Sequence, residues 1–146
     1  MSLSRILAPA ERYAELVEAL AEKYSTFILG DPLDAGVDQG PIATERGLLR
    51  TERAVEKAKQ QGARVVAGGG RPTELEHGWW YQPTLLDNVN NSMDIAQVEV
   101  FGPVTAVIPY SGVEDAIKLS NDSDFGLAAS IYGTSLRELV SHLGTC

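Results

Sequence analysis

A chain of 146 residues with 12 basic and 20 acidic side chains has a formal charge of −8, which opposes adhesion to nucleic acid or anionic lipid, so neither is expected as a partner. With 44% hydrophobic and 22% charged residues, it has the composition of a soluble globular protein with one substantial core, here read as a single domain over residues 1–146. Cys146 is the one cysteine and leaves no internal disulfide, no apolar run approaches the about 18 residues of a membrane span, and Met1-Ser2-Leu3-Ser4 lacks a signal peptide's regions, so a cytoplasmic location is expected.

Tyr13, Leu16, Val17, Leu20 and Tyr24 recur at helical spacing with acids elsewhere on the wheel, which predicts an amphipathic helix. A turn-rich connection follows, punctuated by Gly30-Asp31-Pro32 and Gly36, Gly40 and Pro41. Thr44 then suits an N-cap for a second helix running through Gln61, with Gly62 as its stop and a thin apolar face of Leu48, Val55 and Ala58. Residues 63–67 read as a short buried strand and Gly68-Gly69-Gly70-Arg71-Pro72 as the loop that ends it.

Residues 79–86 have strand composition, but Pro83 removes a ladder donor and pushes the segment toward an edge or a break. Residues 104–108 are apolar at nearly every position, as a central strand covered on both faces would be. Ser111-Gly112-Val113-Glu114 has the form of a capping box, opening a helix through Ser120 with Val113, Ala116 and Ile117 toward the core. A strand over 126–132 and a helix from Ser135, with Leu136, Leu139, Val140 and Leu143 on one face, complete an alternating order. The expected fold class is therefore α/β, with an open, mostly parallel sheet flanked by helices.

No nucleophile stands beside a base and no metal-ligand cluster is present, so neither catalytic nor metal residues are assigned within the chain. His77 and His142 are far apart, and Cys146 is terminal, where fraying would spoil a precise geometry. Gly68-Gly69-Gly70 follows a strand but matches neither phosphate-loop spacing, and reads as a turn. Trp79, Trp80 and Tyr81 offer either a stacking platform or core and interface packing; the acidic balance favours the latter.

Glu99-Val100-Phe101-Gly102-Pro103-Val104, followed after a short helix by Asn121-Asp122-Ser123-Asp124-Phe125-Gly126-Leu127-Ala128-Ala129, resembles a paired pattern of NAD(P)-dependent aldehyde dehydrogenases. Gly30-Asp31-Pro32, Gly40-Pro41, Gln61-Gly62-Ala63 with Gly68-Gly69, and Tyr81-Gln82-Pro83-Thr84 stand upstream in that family's order. The resemblance covers nearly the whole chain and implies part of the catalytic domain of an enzyme that oxidises an aldehyde to an acid with NAD or NADP. In that family the Rossmann-type cofactor domain, the general-base glutamate and the nucleophilic cysteine lie upstream. Ser4-Arg5 resembles the Ser-Arg that trails the cysteine motif, which would place the nucleophile just before Met1, and Cys146 matches an ordinary strand position.

By the same resemblance, Glu99 accepts hydrogen bonds from the ribose hydroxyls beside the nicotinamide, Phe101 lies near the nicotinamide, and Leu127 approaches the same end. Gly47 and Arg50 stand where members carry Gln and Lys near the adenosine ribose; Arg50 still offers a donor and Gly47 does not. Expected consequences are no aldehyde oxidation by the chain alone, and self-association into a homo-oligomer through surfaces that its missing neighbours would cover. The alternative is a stand-alone, non-catalytic module for nucleotide binding or assembly.

Overall fold

The computed structural model describes residues 4–126 and 128–134. Four strands, β1 (Arg5–Pro9), β2 (Arg64–Ala67), β3 (Thr84–Asp87) and β4 (Val104–Tyr110), form one sheet in the order β1-β4-β3-β2. β4 runs parallel to both β1 and β3, and only the edge strand β2 is antiparallel, to β3. This is the open, mostly parallel α/β sheet that the alternation of elements predicts.

Period-2 geometry on β4 explains why its run is apolar throughout. Val104, Ala106 and Ile108 enter one core cluster, while Val107 enters the other, on the opposite face. The second face is covered by α1 (Tyr13–Ser25), whose Val17 is buried and whose Tyr13, Leu16, Leu20 and Tyr24 pack around it. Tyr24 Oη is 2.7 Å from Thr105 Oγ1, and the Tyr13 hydroxyl donates to Val107 O at 3.2 Å.

The first face is covered by α2 (Glu45–Gln60) and the four-residue α3 (Asp94–Gln97). Thr44 is the N-cap of α2, its hydroxyl accepting from Gly47 N–H at 3.1 Å, and Gly62 ends the element at φ +105°, a left-handed backbone that glycine adopts without penalty. Leu48, Val55 and Ala58 are buried as their spacing predicts, and Thr51 joins their row by donating to Gly47 O at 2.9 Å.

Several expectations need correction. Strand β2 is only half-buried because it is an edge. Of residues 79–86 only those after Pro83 enter a strand, and β3 extends to Asp87. The triple glycine packs closely there: a Cβ on Gly68 would stand 2.1 Å from Pro83 O, and Gly69 N–H donates to Thr84 Oγ1 at 2.8 Å. α4 (Val113–Asn121) has Gly112 as its N-cap, without the capping box: Asp115 instead reaches back to Ser111 N–H at 2.9 Å. Its Val113 is exposed, and Ala116 and Ile117 are half-buried. Residues 126 and 128–132 form no strand and are exposed, since strand-forming composition without a paired neighbour does not make a strand. β1 and α3 have no counterpart in the sequence reading. Leu127, the helix expected from Ser135, His142 and Cys146 lie outside the described residues.

Candidate functional site

Residues 98–103 link α3 to β4 and cross the start of α2. Gly102 packs so tightly on the helix that an added Cβ would lie 2.3 Å from Thr51 Oγ1. Two residues earlier, Val100 is buried and its carbonyl accepts from Arg50 Nε at 2.7 Å. At the β4 end, Pro103 O accepts from Thr84 N–H at 2.7 Å. Thus three consecutive contacts hold one side of the loop against the protein.

That anchoring decides where the two predicted side chains point. Phe101 stands between the anchors Val100 and Gly102 at φ +52°, a left-handed conformation that costs a non-glycine residue about 1–2 kcal/mol. The conformation leaves Phe101 73% exposed, although a phenyl ring gains by burial. Backbone strain that presents an aromatic group to solvent is characteristic of binding surfaces. Glu99 is also exposed, and among the described residues its carboxylate has no hydrogen bond or ion pair. An acceptor without a partner among the described residues therefore lies two residues from an exposed aromatic side chain.

Arg50, expected from the resemblance near the adenosine ribose, has its guanidinium carbon 5.5 Å from the Phe101 ring centroid, within cation–π range. The pairing follows from the fold: Arg50 precedes Thr51 on α2, and Thr51 is the residue on which Gly102 rests. Gly47 is buried in the first turn, where a Cβ would approach Ile42 Cγ2 to 2.8 Å, so glycine there serves packing. The structure thus brings Glu99, Phe101 and Arg50 onto one patch, with Leu127 outside the described residues.

Sequence reasoning missed Thr51 as a support, although Leu48, Thr51, Val55 and Ala58 share one helical row and the signal was available there. It also missed a polar hub at Asn91, 5% exposed. Asn91 Oδ1 accepts from Arg5 Nη1 at 2.8 Å, and Asn91 Nδ2 donates to Asp122 O and Oδ2 at 2.9 and 2.8 Å. No spacing rule reveals such a hub, because its members are 86 and 31 residues from Asn91.

Charge pairs elsewhere on α2 are peripheral to the patch. Glu52 accepts both Arg71 donors at 2.6 and 3.1 Å, and this hydrogen bonding holds its carboxyl below the usual range. Lys57 and Gln61 bind Asp94, with the same downward effect on that carboxyl. Two shallow hollows lie by Asn88, at the end where β3 stops, one lined by Tyr13, Arg64, Asp87 and Asn88. They are far from the patch along the strands, since residues 98–103 enter β4 at its beginning.

The described residues thus form an open α/β sheet with an exposed acid–aromatic loop at the entrance to β4. The sequence profile of the aldehyde dehydrogenase family matches residues 1–143, and the chain belongs to that family. Geranial dehydrogenase of Castellaniella defragrans is 41% identical over 133 residues, which are 91% of this chain and 27% of that protein. Alpha-ketoglutaric semialdehyde dehydrogenase of Bacillus subtilis is 35% identical over 142 residues, 96% of this chain and 29% of that protein. Among solved structures, an aldehyde dehydrogenase of Mycobacterium tuberculosis complexed with NAD+ superposes with a TM-score of 0.94 at 42% identity, covering 97% of this chain and 29% of that one. An aldehyde dehydrogenase of Pseudomonas syringae in complex with NAD+ and octanal gives 0.94 at 34% identity, over 97% and 30%. The chain spans under a third of the length of these relatives.

Proposed function

We propose that this chain supplies the nicotinamide-side wall of an NAD(P)-dependent aldehyde-oxidising site. The observation that carries this reading is the pairing of a Glu99 carboxylate that has no partner among the described residues with an exposed Phe101 on strained backbone. Those two groups fit a nicotinamide riboside: a vicinal diol asks for a free acceptor, and a flat heteroaromatic ring asks for an open apolar face. When bound, NAD(P)+ supplies the hydride acceptor for oxidation of the aldehyde. Glu99 would take the ribose hydroxyls, and Phe101 would restrict the positions open to the ring. Arg50, beside Phe101 and already donating to Val100 O, retains further guanidinium N–H donors for a hydroxyl or phosphate oxygen.

The reading further assigns no turnover to the 146 residues alone, because none of Glu99, Phe101 and Arg50 is a nucleophile for an aldehyde carbon. Titration of the purified chain with NADH, followed by nucleotide fluorescence, tests the binding half. Saturable binding at millimolar concentration, weakened in Glu99→Gln and Phe101→Ala, is the expected outcome. Binding that is absent, or equal in the double variant, would sink it. Incubation with NAD+ and a panel of aldehydes tests the other half, and NADH production above the buffer blank would refute it. Exposed Ile28, Leu33, Phe125 and Tyr132 favour self-association, which sedimentation analysis would detect as a species heavier than 15.7 kDa.

A further inference from the structure

Gln97, the last residue of α3, stands two positions before Glu99, and its Nε2 donates to Asn91 O at 2.6 Å and to Asp122 O at 2.9 Å. Asn91 in turn accepts from Arg5, which also donates to Leu119 O and Ser120 O at 3.2 Å each. A guanidinium at these carbonyls caps the C-terminal end of α4, where a cation is favoured by the helix dipole. Asn91, through its side-chain amide and its backbone carbonyl, thus joins β1, the β3–α3 connection, the end of α3 and the end of α4.

The loop has two moorings with this connection counted. Residues 100–102 are moored to α2 through Arg50 and Thr51, and the other end follows α3, whose Ile95 and Ala96 are buried in the core and whose last residue, Gln97, is bonded to the Asn91 hub. We propose that Arg5 and Gln97 are positioning residues: acting through Asn91 and Asp122, they fix the Glu99–Phe101 loop against the segment that leads from Asp122 toward Leu127. This rests on the proposed cofactor reading for its purpose, while the mooring itself is a property of the free chain.

Nuclear magnetic resonance relaxation on the 146-residue chain, wild type, Gln97→Leu and Arg5→Met, separates the possibilities. In the wild type, order parameters at residues 98–102 should match those of α2 and β4, about 0.85, and in Gln97→Leu they should fall below about 0.6 with α2, β4 and the end of α4 unchanged. Arg5→Met should loosen both residues 98–102 and the end of α4. If Arg5→Met unfolds the chain, Gln97→Leu still decides, since Gln97 is only partly buried. A loop that stays rigid in Gln97→Leu, or is already mobile in the wild type, would overturn the proposal. NADH affinity should drop about fivefold in Gln97→Leu at an unchanged melting midpoint, which a merely stabilising contact would not produce. Failure of the wild type to bind NADH would refute the cofactor reading and leave the relaxation result to judge the mooring by itself.

Discussion

The β3–β4 centre of the sheet and the loop that enters β4 are neighbours in sequence and opposites in construction. In the centre, Leu85, Leu86, Ala106 and Val107 are fully buried between α1 on one face and α2 on the other, and many weak contacts share the work. In the loop, Glu99 and Phe101 are exposed, and a few specific contacts at Val100, Gly102 and Gln97 hold the backbone in a strained form. Packing makes the centre stable; sparse anchoring lets the loop present groups that packing alone would have hidden.

Six substitutions and one titration probe that difference. Leu85→Ala should cost about 2–5 kcal/mol of unfolding free energy in urea, because a fully buried side chain leaves a cavity on the α1 face. A cost below about 1 kcal/mol would mean that the sheet centre is loosely packed. Gly102→Ala should cost about 1–3 kcal/mol, since its Cβ would enter the Thr51 hydroxyl. Thr51→Ala should recover part of that loss in the double variant, and strict additivity would show that the two residues do not touch in solution.

Tyr81, 2% exposed, extends the contrast to pH. Burial pushes its phenol up to about 12 from an ordinary value of 10.0. A group raised on folding contributes stability that is whole below its unfolded value and is lost as pH rises through its folded one. Stability should therefore decline between pH 10 and about 12, and Tyr81→Phe should remove that portion of the decline. Ultraviolet titration of the tyrosinates checks it, and a Tyr81 midpoint at 10 would contradict it.

The smallest changes in stability should come from the loop's functional side chains. Phe101→Ala and Glu99→Gln should each move unfolding free energy by no more than about 0.5 kcal/mol, because both groups face solvent. Their effect should fall on NADH affinity instead, about tenfold for loss of the charged acceptor in Glu99→Gln. A large loss of stability in either variant would show that the two regions are not built differently.

The amino-acid sequence by itself determined the elements whose signals are local. The α1 and α2 faces follow from apolar spacing, the α2 cap and stop from Thr44 and Gly62, and β4 from its unbroken apolar run. It also marked Glu99 and Phe101, through a family pattern that is contiguous in the chain. Only the tertiary structure decided what depends on partners distant in sequence. It showed β1 as a strand, since Arg5–Pro9 acquires that state by pairing with β4. It denied a strand to residues 128–132, which lack such a pairing. It set Arg50 beside Phe101 and built the Asn91 hub from Arg5, Gln97 and Asp122. Periodicity and capping are encoded within a few residues, whereas a strained loop and a shared amide exist only once remote segments are packed together.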